Sequence, residues 1–529
     1  MSLRISPTSR RSSRTVYGRR RVAVALLLPL SLLPAPVWSQ SPAETPFWAG
    51  LDPGPHAVGF RSYWKRDWSR SWLPNVDTAG RPTGAVSGRP VRINVWYPAR
   101  VGGIPAMRFG DYLGSATTPG FATEEKMIRD EDFGSLGGGG MRNLLRSDSS
   151  YRRLTQTITA AHRNAPAERG KFPVVVYALG QGDYTMENTP LCEYLASRGL
   201  IVVSVAQIGT SPRRNLLFIH DPASYDAEVR DLAFALQTVI ADPMADSSRI
   251  AAVGHSMGGT YALMLAVRHT GVHTVIGLDP SYVSPQPSYV YKFSEAADFD
   301  PARFRGNLVA LYRAEINPRT TIVDSLRYAN RILLPIPMSI HADFNGFPIY
   351  TSRGAPAEVD SFAIAHRTQA QAVQTFNAVT RYVGCYLSAS LANQSTASCP
   401  IPPGAVAERL SAATTPTEEE LFDALHERGL TAAENLARAT AARSPLVLRR
   451  SVMERIANEQ GYAGRPREAA EYAQLITIVF PDAAAFERAG DEWSNVGESA
   501  RARAAYEASL RLEPDRAGVK EKLARIIRT

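Results

Sequence analysis

The chain has 529 residues, 44% hydrophobic and 21% charged, a balance that suits a globular protein and a length that exceeds one compact domain. Its formal charge is +9, yet residues 1–39 hold seven arginines and no acid, so the remainder is near neutral at about +2. That remainder gives no electrostatic basis for a nucleic-acid or anionic-membrane partner, and neither is expected.

Arg19-Arg20-Arg21 precede an apolar run from Val22 to Leu33 that is too short to span a bilayer, and Val37-Trp38-Ser39 places small or medium residues at a cleavage position. Residues 1–39 read as a cleaved signal peptide. The general secretory route is favoured over the twin-arginine route, because the residues after Arg10-Arg11 do not complete that motif. A mature chain starting near Gln40 is expected to be periplasmic or secreted, with no transmembrane segment. No cysteine precedes position 192, which excludes a lipid anchor on a signal-peptide cysteine.

Between Pro98 and Lys171 lies an insert, about residues 101–170, containing Leu136-Gly137-Gly138-Gly139-Gly140. The glycine run lacks the Gly-Lys-Ser/Thr ending of a phosphate loop and reads as a flexible connector. A lid or acyl-pocket element and an inert surface loop are both open for the insert.

Phe172 to Tyr177 is β-branched and aromatic, the pattern of a buried parallel strand, and it runs into Ala178-Leu179-Gly180-Gln181-Gly182. Glycines at 180 and 182 let that loop approach a substrate closely, which makes the Gln181 N–H a candidate oxyanion donor. Downstream, Gly254-His255-Ser256-Met257-Gly258 follows an apolar strand-like run, Ile250 to Val253, and opens a helix-like one, Thr260 to Val267. That context makes the pentapeptide a candidate nucleophile elbow, with Ser256 as nucleophile and the Met257 N–H as second oxyanion donor.

A serine hydroxyl needs a histidine to take its proton and a carboxylate to fix the imidazole tautomer. The run His273 to Leu278 ends at Asp279, the leading acid, and the run Leu308 to Tyr312 ends at Glu315, the alternative acid. Arg331 to Ile340 reads as a further strand delivering His341, the only one of nine histidines with both the required order and a strand-end position. Ser361 to Leu387 has a helical apolar period at Val373, Phe376, Val379 and Val383 and reads as the last helix on the sheet.

Of three cysteines, Cys192 sits in a helix-like segment and reads as a buried thiol. In an exported chain Cys385 and Cys399 are close enough to pair, a closure worth about 3 kcal/mol. No C-x-x-C or H-E-x-x-H occurs, and neither a metal nor another cofactor is proposed.

Proline, threonine and glycine concentrate over residues 400–416, which read as a linker. Beyond it the sequence repeats: Gly464 and Gly497, Ala469 and Ala502, and Pro481 and Pro514 are each 33 residues apart. Gly490, Trp493, Gly497, Ala502, Tyr506 and Pro514 resemble the tetratricopeptide signature, and a degenerate earlier unit covers Leu421 to Pro445. A generic helical bundle is the other reading.

Taken with Gly54 to Phe60, Asp67-Trp68-Ser69-Arg70, Val91 to Pro98, Gly277-Leu278-Asp279 and His341 to Phe344, these motifs resemble the platelet-activating-factor acetylhydrolase-like branch of the α/β hydrolases, close to dienelactone hydrolases. The resemblance spans most of residues 50–385. It implies a mostly parallel sheet flanked by helices, with Ser256, Asp279 and His341 as catalytic triad and Gln181 and Met257 as oxyanion hole. Leu179-Gly180 departs from the family's His-Gly, which leaves backbone donation intact and substrate preference open. The expected organisation is a signal peptide over 1–39, a catalytic domain over 40–399, a linker over 400–416 and a small all-α repeat domain over 417–529. The expected activity is that of a serine hydrolase of small-molecule carboxylic esters, short-acyl or lipid-like, with a protein partner possible at the repeats. A catalytically dead domain in a partner-binding protein, or a peptidase on the same triad, is the alternative.

Overall fold

A computed structural model describes residues 46–48, 50–72, 81, 87–114, 116–132, 147–182, 184–209, 222–285, 296, 298–354, 367–412, 418–443 and 448–528. The proposed signal peptide and the glycine run at 136–140 lie outside the described residues.

Ten strands form one sheet: β1 (Ala57–Trp72), β2 (Ser87–Ala99), β3 (Ala161–Arg163), β4 (Phe172–Ala178), β5 (Ile201–Val205), β6 (Ala245–His255), β7 (Val272–Leu278), β8 (Asn307–Arg313), β9 (Asn330–Ile336) and β10 (Glu408–Leu410). Their order is β10-β9-β8-β7-β6-β4-β5-β2-β1-β3. Strands β4 to β9 pair in parallel with their neighbours, β2 is antiparallel to β5, and β1 is antiparallel to β2. This is the α/β-hydrolase arrangement. The parallel strands are buried on both faces, which is why β4 (FPVVVYA) and the second half of β6 (IAAVGH) read as unbroken apolar or small runs rather than as alternation. Two core layers result, one on each face of the sheet: Val175, Val253 and Leu278 serve one, and Val174, Val176 and Ala252 serve the other.

Helices cover both faces: α1 (Ala122–Asp132), α2 (Asp148–Gln156), α3 (Thr189–Ser197), α4 (Pro222–Ile240), α5 (Met257–Arg268), α6 (Thr321–Ser325), α7 (Phe347–Gly354) and α8 (Gln369–Leu391). The long helix α8 starts eight residues after the sequence-read boundary, at a capping box in which Thr368 accepts from the Gln371 N–H. Cys385 on α8 is joined to Cys399 in a disulfide, and Cys192 is a buried free thiol.

Two segments carry structure that their composition does not announce. The stretch at 400–416 carries β10, which pairs antiparallel with β9 through Arg409 and Ile332 and covers that sheet edge. The insert at 101–170 holds α1, α2 and β3. Its Met107, Phe109, Tyr112, Leu154 and Ala161 belong to the main core, and β3 pairs with β1. The fully buried Glu193 on α3 fastens this segment, accepting hydrogen bonds from Trp48 Nε1 (2.8 Å), Tyr112 Oη (2.5 Å) and the Ala160 N–H (3.0 Å). Burial raises the Glu193 carboxyl above its ordinary range against the pull of those donors.

The C-terminal region is all helical: α9 (Glu418–Arg428), α10 (Leu430–Arg443), α11 (Arg450–Tyr462), α12 (Pro466–Val479), α13 (Ala483–Asn495), α14 (Ser499–Leu512) and α15 (Ala517–Arg528). Helices α11 and α13 start 33 residues apart, as do α12 and α14. The turns between paired helices place Gly464 and Gly497 at φ of 74° and 76°, a conformation that favours glycine. Gly490 is required by contact, since a Cβ there would lie 2.5 Å from the Tyr506 ring. Arg449 ties this region to the sheet domain through a 3.0 Å ion pair with Asp300.

Candidate active site

Strand register decides which residues meet. In the β6–β7 pairing His255 lies opposite Leu278, so the next residues, Ser256 and Asp279, leave adjacent strands side by side at their carboxyl ends. The Ser256 N–H donates to the Leu278 carbonyl at 2.9 Å, and the Ser281 N–H donates to the Ser256 carbonyl at 2.9 Å. Ser256 has φ 55° and ψ −122°, the strained geometry of a sharp strand-to-helix turn. Closely packed backbone holds it there. A Cβ at Gly254 would stand 2.1 Å from the Gly258 carbonyl oxygen, and one at Gly258 would stand 2.1 Å from the Ala178 oxygen and 2.5 Å from the Leu179 oxygen.

The same contact sets the first turn of α5, which Met257 opens, against the loop after β4. That loop is held from behind at two amides flanking Gln181. Gly180 N–H donates to both carboxylate oxygens of Glu187, at 3.1 and 3.2 Å, and Gly182 N–H donates to Gln207 Oε1 at 3.1 Å. Gln181 is half-buried between them.

Asp279 is buried and accepts three hydrogen bonds: from His341 Nδ1 to Oδ2 (2.5 Å), from Arg313 Nε to Oδ2 (2.7 Å) and from the Arg313 N–H to Oδ1 (3.3 Å). Burial pushes its carboxyl up, but the His341 hydrogen bond and the Arg313 guanidinium outweigh that and hold it below the ordinary carboxylate value. His341 opens a short turn after β9. Its side chain is 45% exposed, so the ring is enclosed by the concave site rather than covered. That enclosure lowers the imidazole below its ordinary value, and the Asp279 hydrogen bond opposes the shift. The alternative acid, Glu315, faces elsewhere: its carboxylate accepts the Met338 N–H at 2.8 Å and steadies the turn after β9, which closes earlier than the sequence suggests.

Ser256, Asp279 and His341 line one cleft of about 380 Å³ with Pro280, Ser281, Ser284, Pro285, Arg313 and Ile316. A larger cavity of about 610 Å³ lies between the amino ends of β7 and β8 and helices α9 and α11, remote from these residues in the fold. Of the four arginines that line it, Arg449 pairs with Asp300, Arg455 with Glu459 and Arg305 with Glu420. Among the described residues no group of His, Cys, Asp and Glu is arranged to hold a metal ion, and no helix is long and apolar enough to cross a membrane.

A family model described as Chlorophyllase matches residues 151–286, about a quarter of the chain. "Chlorophyllase-1, chloroplastic" of Citrus unshiu is 31% identical over 115 residues, which are 22% of this chain and 34% of that protein. The chain therefore matches about a third of the length of this curated relative. A ferulic acid esterase from Streptomyces cinnamoneus is similar in structure, with a TM-score of 0.47 and 19% identity over 66% of this chain and 94% of that one. The span matched by the family model contains Gln181, Ser256, Met257 and Asp279 and ends before His341.

Three residues that shape this site carry no sequence signature. Arg313, Glu187 and Gln207 belong to no motif, and each acts through a tertiary contact that spacing does not encode. The nearest sequence signal for Arg313 was its position at the end of β8, beside the strand end that carries Asp279.

Proposed function

We propose that the chain is a carboxylic ester hydrolase acting through an acyl-enzyme. The observation that carries this reading is the His341–Asp279 hydrogen bond in a cleft shared with Ser256 on its strained turn. Ser256 Oγ attacks the ester carbonyl carbon while His341 Nε2 takes its proton. The Gln181 and Met257 N–H groups hold the resulting oxyanion, with the first turn of α5 adding its positive dipole end. The bond to the alcohol oxygen then breaks, His341 returns the proton to that oxygen, and a water repeats the sequence to release the acid. Asp279, kept ionised, orients the imidazole and stabilises its charged form.

The resemblance to the platelet-activating-factor acetylhydrolase-like branch and the match to a chlorophyllase model both favour an ester as substrate. A fluorophosphonate probe tests the reading: the wild-type protein is expected to label and Ser256→Ala is not, while an unlabelled wild type would favour a catalytically dead domain. A chain-length series of nitrophenyl esters then defines the acyl pocket.

Export through the amino-terminal segment is part of the proposal, supported by the Cys385–Cys399 disulfide, a bond that persists in oxidising compartments. The C-terminal helices are read as tetratricopeptide-like and as a surface for a protein partner, supported by their 33-residue period and paired glycine turns. On this reading a chain ending after Ala412 keeps most of its kcat on a small soluble ester. Loss of kcat in a folded, monodisperse truncated protein would make the helices part of the active site.

A further inference from the structure

A buried polar chain that no step above uses runs behind the cleft. Glu187, fully buried just before α3, accepts Tyr177 Oη–H at 2.7 Å and the Gly180 N–H at 3.1 and 3.2 Å. Its Oε2 lies 3.5 Å from Nδ1 of His255, the buried residue immediately before Ser256. The other ring nitrogen, Nε2, is 3.2 Å from the carbonyl oxygen of His341. A carbonyl only accepts, so Nε2 carries a hydrogen and donates it, and Nδ1 pairs with the Glu187 carboxylate when the ring carries its second proton. The His255 and His341 rings face each other with centroids 4.6 Å apart and planes 34° from parallel.

Gly180, Glu187, His255 and the His341 backbone thus form one path from the loop after β4, through the residue that enters the elbow, to the turn that carries the imidazole. Burying a carboxylate is costly unless donors engage it, and an apolar residue in that position would pack at less cost. Glu187 accepts from the amide beside Gln181 and lies against the ring that grips the His341 turn, two elements 160 residues apart in the chain that an acyl transfer needs in fixed relation.

We propose that Glu187 and His255 are positioning residues that register the oxyanion loop against the catalytic base, so that the Gln181 N–H and the His341 imidazole address the same tetrahedral centre. This rests on the serine-hydrolase reading above. Neither side chain lines the cleft that holds Ser256. Their loss therefore weakens transition-state binding while leaving ester binding nearly intact.

The test uses the full chain and counts active sites by fluorophosphonate titration, so that kcat is expressed per labelled serine. Glu187→Gln, close in shape, and His255→Leu are each expected to lower kcat per labelled site by about 10- to 100-fold, below the full loss of an oxyanion donor, with KM changed by no more than about twofold. The double variant is expected to lose no more than the worse single one, because both act along one path. His255→Gln, which keeps a donor for the His341 carbonyl, is expected to recover part of the loss. A trifluoromethyl ketone, which forms the tetrahedral adduct, is expected to bind more weakly by the same factor as kcat/KM falls. Variants that label fully and turn over within about twofold of wild type, or whose loss lies wholly in the number of labelled sites, would reduce the pair to a folding role. A wild-type protein that does not label would overturn the hydrolase reading and this one together.

Discussion

The carbonyl oxygen of Ala178 stands 2.1 Å from the point a Cβ on Gly258 would occupy. The end of β4 and the start of α5 therefore touch backbone to backbone, and this contact brings the proposed oxyanion loop to the nucleophile. Gly258→Ala forces the two apart. Because the obstacle is main chain rather than a flexible side chain, the expected cost is at the upper end of overpacking, about 3 kcal/mol, together with loss of the proposed ester turnover. Denaturant unfolding and ester turnover on the soluble fraction check both parts. A variant of wild-type stability and activity would mean that the elbow relaxes easily.

Ser256→Ala and His341→Ala are each expected to reduce kcat by about 10⁴-fold or more, and the double variant to lose no more, since the residues act as a unit. Ser256→Ala retaining about a tenth of wild-type turnover on the best ester would remove the serine from the mechanism.

The two carboxylates make an unequal pair. Asp279→Asn is expected to cost about 10⁴-fold in kcat, because an amide in place of Asp279 Oδ2 leaves the imidazole in the wrong tautomer. Glu315→Gln keeps an acceptor for the Met338 N–H and is expected to leave kcat near wild type. The opposite ranking in folded variants would move the acid to Glu315.

In the proposed mechanism only neutral His341 accepts the serine proton, so kcat/KM is expected to fall as pH drops through the imidazole pKa. Enclosure holds that pKa below the ordinary value of about 6.5, so the acid limb is expected below pH 6.5 and activity persists into mildly acidic solution. The Arg313 guanidinium helps to keep it low, so Arg313→Gln is expected to move the limb upward. A limb above pH 7 in the wild type, or a downward move in the variant, would contradict this electrostatic picture.

The Cys385–Cys399 bridge closes a short loop between α8 and the segment leading to β10. Cys399→Ser is expected to lower unfolding free energy by about 3 kcal/mol, and a reductant is expected to bring the wild type down to the variant. Urea unfolding with and without dithiothreitol measures the difference.

The sequence alone was enough for the parallel strands, the elbow and the chain order of Ser256, Asp279 and His341. Each depends on short-range pattern: unbroken β-branched runs mark strands buried on both faces, and glycine at 254 and 258 marks a turn with no room for a side chain. Composition left the role of 101–170 open and gave no sign of β10 within 400–416, because insert-like or proline-rich stretches also supply edge strands and core aromatics once a sheet is there to receive them. Tertiary structure sets Asp279 and Glu315 in different surroundings. Both end a strand and read alike, but the pairing of His255 with Leu278 sets Asp279 beside Ser256, where His341 reaches it, while Glu315 turns to Met338. It also revealed Arg313, Glu187 and Gln207 around the site. A hydrogen bond between residues tens or hundreds of positions apart leaves no local trace, since its geometry exists only after the strands have taken their register and the buried groups have had to find partners.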